Sequence, residues 1–186
     1  MSLDANLHWL LSFYRTSEIG GALFFGQVAR SLPPSATQCD MSRHFAEEAQ
    51  HARYWTECLE ALGAQPLRLG RAYQDQYAAA TGMPSNLMEV LAITQVFERR
   101  VVSQYALHLR VPGIPGAVAD TLDRIMRDEK WHLEWVRGAL GALEPKYGAD
   151  AIDATLARYT EADRAVYQST AREHGARIDQ LMLARR

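Results

Sequence analysis

The chain has only two cysteines, Cys39 and Cys58, and neither belongs to a Cys-x-x-Cys pair. That scarcity excludes a zinc knuckle, a cysteine-held iron–sulfur centre and a disulfide-stapled scaffold, and leaves reduced structural thiols as the plain reading. There is no uninterrupted apolar run of about 18 residues, so no membrane span is expected. Met1 to Asn6 lacks the basic-then-apolar order of a leader, which predicts a cytoplasmic location. Net charge is nearly absent too, formally −2. Nothing electrostatic therefore calls for a phosphate backbone as partner, and charge does not favour an RNA substrate. Strand-like alternation of Val, Ile and Thr is rare. What remains is 186 residues, 48% hydrophobic and 23% charged, which suits one folded domain over 1–186 and leaves little room for a long disordered tract.

Proline and glycine cut this chain into long stretches rich in Ala, Leu, Glu, Arg and Gln, so the expected fold class is all-α. The first helix is predicted from about Asp4 to Arg30, ahead of Pro33-Pro34. The second opens at a Ser35 or Thr37 cap and ends near Gly63. The third runs from Pro84-Ser85 to Arg110, where Val111 to Gly116 breaks it, and the fourth from about Ala117 to Gly141. A fifth, amphipathic helix starts near Ala149, with Ile152, Leu156, Tyr159 and Val166 on one side. The core lies in about 4–141, and 145–186 forms a C-terminal helical extension. Short links make the first two helices, and the third and fourth, antiparallel hairpins. The segment from Ala64 to Met83 is long enough to cross the length of a helix, so the second and third helices can run parallel. Two hairpins joined by one long crossover give an up-down-down-up four-helix bundle.

Two Glu-x-x-His motifs stand out, Glu48-Ala49-Gln50-His51 and Glu129-Lys130-Trp131-His132. At that spacing both side chains lie on one helix face a turn apart and reach a common point. With 12 glutamates and six histidines, less than one such motif is expected by chance, and either alone is as readily a hydrogen-bonded core pair. Depth along the helices adds more. Glu18 lies 12 residues before Arg30, and Glu48 lies 13 after Ser35. Glu98 lies 12 before Arg110, and Glu129 lies 12 after Ala117. Four antiparallel helices then bring four carboxylates and two imidazoles to one level, with Leu11, Phe25, Phe45, Trp55, Leu91, Val102, Ile125 and Val136 expected to face inward beside them.

Four ionised carboxylates in a bundle core repel and lose their hydration, and two divalent cations remove that conflict. The oxygen and imidazole donors suit iron or manganese, as Fe/Fe, Mn/Fe or Mn/Mn. Glu47 and Asp128, each just before a motif glutamate, can accept a hydrogen bond from the outer nitrogen of a ligand histidine, or can simply belong to a solvated face. His44, one turn before Glu48, reads as a satisfied polar residue sooner than as a seventh ligand. Tyr14, Thr94 and Gln95 lie one turn from Glu18 or Glu98, and Gly21-Ala22 leaves room beside Glu18. Trp55, Trp131 and Trp135 read as core or interface aromatics, and His8, His108 and His174 carry no assigned role.

These residues resemble the ferritin-like di-iron carboxylate superfamily over about Asp4 to Gly141, most specifically in Glu47-Glu48-Ala49-Gln50-His51-Ala52 and in Asp128 to Trp135. The resemblance implies Glu48 and Glu129 as bridging ligands, His51 and His132 as one ligand to each metal, and Glu18 and Glu98 as terminal ligands. It departs from rubrerythrin-like peroxidases, with Gln95 and Val101 where an extra glutamate is usual and no cysteine-rich module. It departs from bacterioferritins too, with Ala49 in place of the haem methionine and Phe25 in place of a tyrosine, so no haem is expected. The implied activity is a di-iron oxidase or oxygenase that activates O2 (or takes peroxide) to oxidise an organic substrate, with an external electron donor. Small tRNA-modifying hydroxylases are among the relatives it resembles. A ferroxidase or peroxide-detoxifying iron protein is the alternative, and a non-enzymatic helical module the third. The long fifth helix can cover the bundle or build a homodimer.

Overall fold

The computed structural model describes residues 3–70 and 72–183, with side chains up to 177. Among the described residues all regular structure is helical, in seven segments: α1 (Ala5–Ser31), α2 (Ala36–Ala61), α3 (Tyr73–Thr81), α4 (Leu87–Leu109), α5 (Gly116–Ala142), α6 (Glu144–Tyr147) and α7 (Ala149–Leu183). No described helix is long and apolar enough to cross a membrane. The helix starts follow local chemistry. The Asp4 carboxylate accepts from the backbone N–H of Asn6 and Leu7, Ser35 Oγ accepts from Gln38, and Asn86 accepts from Glu89. Each cap satisfies donors that the first helical turn leaves open.

The segment between α2 and α4 is more than an extended crossover. Its second half is α3, where Ala78, Ala79 and Ala80 favour helix, Asp75 Oδ2 accepts from the N–H of Ala72 at 2.8 Å, and Gly82 ends the helix at φ 73°.

α1 lies along α2 and α4 along α5, while α2 also meets α5, and α7 packs across α4, α3 and α1. Two apolar clusters hold these helices. One gathers Phe25, Met41, Leu91, Val136 and Tyr159; the other gathers Leu11, Trp55, Leu59, Leu122 and Ile125. Burying each such side chain stabilises the fold by about 1.5–3 kcal/mol. On α1, α2, α4 and α5 alike, the buried acidic residues fall between the positions that feed the two clusters. Phe45 breaks the inward expectation: it is 40% exposed, its ring lying against Gly26, while Val102 is only half-buried. On a helix that already turns Met41, His44, Glu48, His51 and Trp55 inward, Phe45 falls outside that stripe.

α7 carries the expected stripe, with Ile152, Tyr159 and Val166 buried and Leu156 half-buried. It also carries Asp163, which is buried. Asp163 Oδ2 accepts from Arg100 Nε at 3.0 Å and Nη2 at 2.5 Å, and Oδ1 accepts from the hydroxyls of Tyr73 and Tyr77. One carboxylate thus ties α3, α4 and α7 together. Asp163→Ala should cost about 3 kcal/mol, because it strands a mostly buried guanidinium and two tyrosine hydroxyls. A lower denaturant midpoint with an unchanged slope would register that loss, while an unchanged midpoint would contradict it.

Candidate metal centre

Glu18 on α1, Glu48 and His51 on α2, Glu98 on α4, and Glu129 and His132 on α5 are all buried, none more than 3% exposed, and they converge between the two apolar clusters. Their donor atoms fall into two groups whose members all lie within 4.8 Å of one another. One holds His44, Glu48, Glu98 and His132; the other holds Glu18, Glu48, His51 and Glu129. Glu48 belongs to both. All six residues singled out in the sequence therefore meet, and His44 joins them.

The ring partners fix how each histidine is presented. His51 Nε2 lies 3.2 Å from Asp128 Oδ2, and His132 Nε2 lies 3.0 Å from Glu47 Oε2. A carboxylate only accepts, so each Nε2 carries the proton, and Nδ1 is left as a lone pair pointing inward. The pairing is crossed: the acid before the α2 glutamate serves the α5 histidine, and the acid before the α5 glutamate serves the α2 histidine. The α2 and α5 motifs are thereby locked to each other. The contact with the His51 ring holds Asp128 below the usual carboxylate range. Burial pushes Glu47 up, but hydrogen bonds from His132 and Arg43 outweigh it and leave Glu47 low as well.

The inward ring nitrogens meet carboxyl oxygens. His51 Nδ1 is 3.5 Å from Glu129 Oε1, and neither atom has a hydrogen-bond partner. His132 Nδ1 is 3.0 Å from Glu129 Oε2 and 3.6 Å from Glu48 Oε1. Such a juxtaposition is repulsive unless a proton or a cation lies between the groups. Without a cation the carboxyls take up protons. Burial is the largest cause for three of them, followed by a neighbour's charge. It raises Glu18 and Glu48 to about 8, and Glu129 well above its ordinary value. Glu98 differs: burial pushes it up, yet the His44 ring beside it brings it down to about 2. A buried set of acceptors with shared access to one carboxylate can hold a pair of metal ions, and oxygen and imidazole donors are what iron and manganese take.

His44 is presented the other way round. Trp135 Nε1–H, which can only donate, bonds His44 Nδ1 at 3.2 Å. The proton of the neutral ring is therefore on Nε2, which lies 3.1 Å from Glu98 Oε1 and 3.3 Å from Glu48 Oε1. Distance alone groups His44 with the ligands. Its tautomer instead makes it an N–H facing two carboxylates, wedged between Phe25 at 4.0 Å and His132 at 3.7 Å. It is not a satisfied core histidine, because its Nε2 has no hydrogen-bond partner and faces the Glu98 and Glu48 carboxyls. Its position four before Glu48 was the signal, but only the Trp135 contact gives its orientation.

Tyr105 went unnoticed in the sequence. Its hydroxyl donates to Glu18 Oε1, which also accepts from Trp55 Nε1 at 3.4 Å, so the free end of the carboxylate is held from one side. Seven residues after Glu98, two turns along the same face of α4, it was legible in principle. Tyr14 instead packs edge-on against the Tyr105 ring. Thr94 donates to Val90 O, Gln95 is buried on α4, and Trp131 lies half-buried under the Arg43 guanidinium. His8, His108 and His174 lie outside the cluster.

Gly21 stands against this centre. A Cβ there would lie 2.6 Å from Glu48 Oε2, so a side chain at 21 and the present Glu48 position are incompatible. No family model matches this chain, and no curated protein matches it either.

Proposed function

We propose that the chain is a ferritin-like di-iron carboxylate oxidoreductase that activates O2 to oxidise or hydroxylate an organic substrate. The observation that carries the reading is Glu48, one carboxylate common to two four-residue donor groups, as a two-metal site requires. Two hairpins joined by a crossover, with the acids level between two apolar clusters, support the bundle topology. Glu18, Glu48, His51, Glu98, Glu129 and His132 would hold the ions, with four carboxylate charges balancing two divalent cations. Bound iron supplies O2 binding and electron transfer that no side chain here provides.

The chain's own residues set the conditions for that chemistry. Glu47 and Asp128 keep the Nδ1 lone pairs of His132 and His51 aimed inward. Tyr105 and Trp55 fix one oxygen of Glu18, and Tyr105 Oη holds a proton there. His44 turns its Nε2–H toward Glu98, and the apolar clusters on either side exclude water. In a hydroxylation, one oxygen atom enters a C–H bond of the substrate, and the other leaves as water with two protons and two electrons from an external donor.

Anaerobic loading with Fe(II) should reach about two ions per chain by elemental analysis. Mixing with O2 should then give a transient absorbance before the ferric state. Two ions with no transient, and turnover of Fe(II) or peroxide alone, would replace this reading with the ferroxidase one. A stoichiometry near zero would favour a helical module whose polar cluster only sets packing.

A further inference from the structure

Residues of α1, α3 and α4 line an open cavity of about 380 Å³, with Gly21 among them. Its walls are aromatic and aliphatic, chiefly Phe24, Phe25, Tyr77, Ile93 and Phe97. Among the described residues the only charged one that lines it is Asp75, whose carboxylate is engaged with the N–H of Ala72, and no described Lys, Arg or His lines it. Its outer rim carries Leu23 and Met83, each 69% exposed, more than any other large hydrophobic residue described. Apolar side chains this open at the mouth of an apolar cavity suit the entry of a greasy molecule.

Gly21 lines the cavity, and the place its Cβ would take is 2.6 Å from Glu48 Oε2 and 3.5 Å from Gln74 Nε2. Gln74, itself part of the wall, uses Nε2 to donate to Ser17 O at 2.8 Å, and its buried Oε1 has no partner. We infer that this cavity is the substrate chamber, and that it takes a neutral, mainly apolar molecule. Anionic substrates such as fatty acids, phosphorylated metabolites and RNA are disfavoured, because the described walls offer an anion no cation and hold Asp75 against it.

This inference rests on the two-metal reading for its chemistry but not for its binding test, which is run on the metal-free and the iron-loaded protein. The probes are decanol and decanoate, equal in length and opposite in headgroup charge, titrated by calorimetry. Decanol is expected to bind one per chain in both forms, at least about tenfold more tightly than decanoate. Ala78→Trp, at an exposed position on the α3 wall, should weaken decanol about tenfold or more with the helical circular dichroism unchanged. Ile93→Trp does the same from α4 should the first variant fail to fold, and Leu107→Trp, exposed and outside the cavity, should have no effect. Equal binding of decanol and decanoate, or full affinity in both wall variants, would overturn the inference. Decanol binding without metal uptake would sink the oxidoreductase reading and leave the chamber standing. Metal uptake without decanol binding would do the reverse.

Discussion

Replacing Glu48 by glutamine is expected to empty both metal positions, taking bound metal from about two ions per chain to well below one after dialysis. The reason is its shared place: Glu48 is the only carboxylate in both donor groups. Glu18→Gln touches only the group with His51, and Glu98→Gln only the group with His132, so each should leave one ion in place. The loss at Glu48 should exceed the roughly 10–100-fold drop in affinity that follows removal of an outer hydrogen-bond partner of a ligand. Metal-free Glu48→Gln should nevertheless melt no lower than the metal-free parent. In the parent that carboxyl is raised to about 8, so near neutrality it is largely protonated, and a neutral amide of the same shape takes its place. A variant that keeps two ions would show that the clusters do not share this residue. One that binds none and also unfolds would show that Glu48 holds the fold, not the ions.

The second large effect is on pH, and its sign reverses with metal. In the metal-free protein Glu18 and Glu48 stand at about 8 against 4.5 in the unfolded chain, and Glu129 is raised in the same direction. A folded state that holds protons more tightly gains from acid, so this contribution is fully present below about 4.5 and is lost as pH rises through about 8. At about 1.4 kcal/mol per unit, the cluster as a whole represents several kcal/mol. Glu98, lowered to about 2, works the other way: its contribution is present above 4.5 and is lost as pH falls toward 2. From these groups the metal-free protein should be most stable near pH 4.5 and weaken steadily toward pH 8. With divalent metal present the ions displace those protons, and stability should instead climb across the same interval. Urea midpoints between pH 4.5 and 8, with and without Fe(II) or Mn(II), measure both slopes. Parallel slopes would mean that the cations do not bind at these carboxyls.

Some of this was legible in the chain and some was not. The long helices were, because the cap at Ser35 and the breaks at Pro33-Pro34 and Val111 to Gly116 are local events written in neighbouring residues, although the third long helix starts after Asn86 and not at Pro84-Ser85. The meeting of Glu18, Glu48, Glu98 and Glu129 was legible too, since helical rise turns residue counts from a turn into depth. α3 was missed because Gly70, Gly82 and Pro84 around it read as loop, while a nine-residue helix gains little from its own propensity and depends on packing. Phe45 was misassigned because an apolar residue next to an inward stripe looks like part of it, and only the packed neighbours show which side of the helix is closed.

The sequence by itself determined the chemistry on offer: an all-helical chain, two Glu-x-x-His claws, and four acids at one height. Periodicity and spacing carry that much, because each is a property of one helix at a time. The tertiary structure alone decided how the parts act on one another. It crossed Asp128 to His51 and Glu47 to His132, turned the His44 N–H toward Glu98 through Trp135, and set the Tyr105 hydroxyl on Glu18. It also set α3 beside α1, so that residues of α1, α3 and α4 line one apolar cavity. Those outcomes depend on side chains from different helices arriving within about 3 Å of one another, a scale at which a single rotamer decides the contact and no spacing along the chain can specify it.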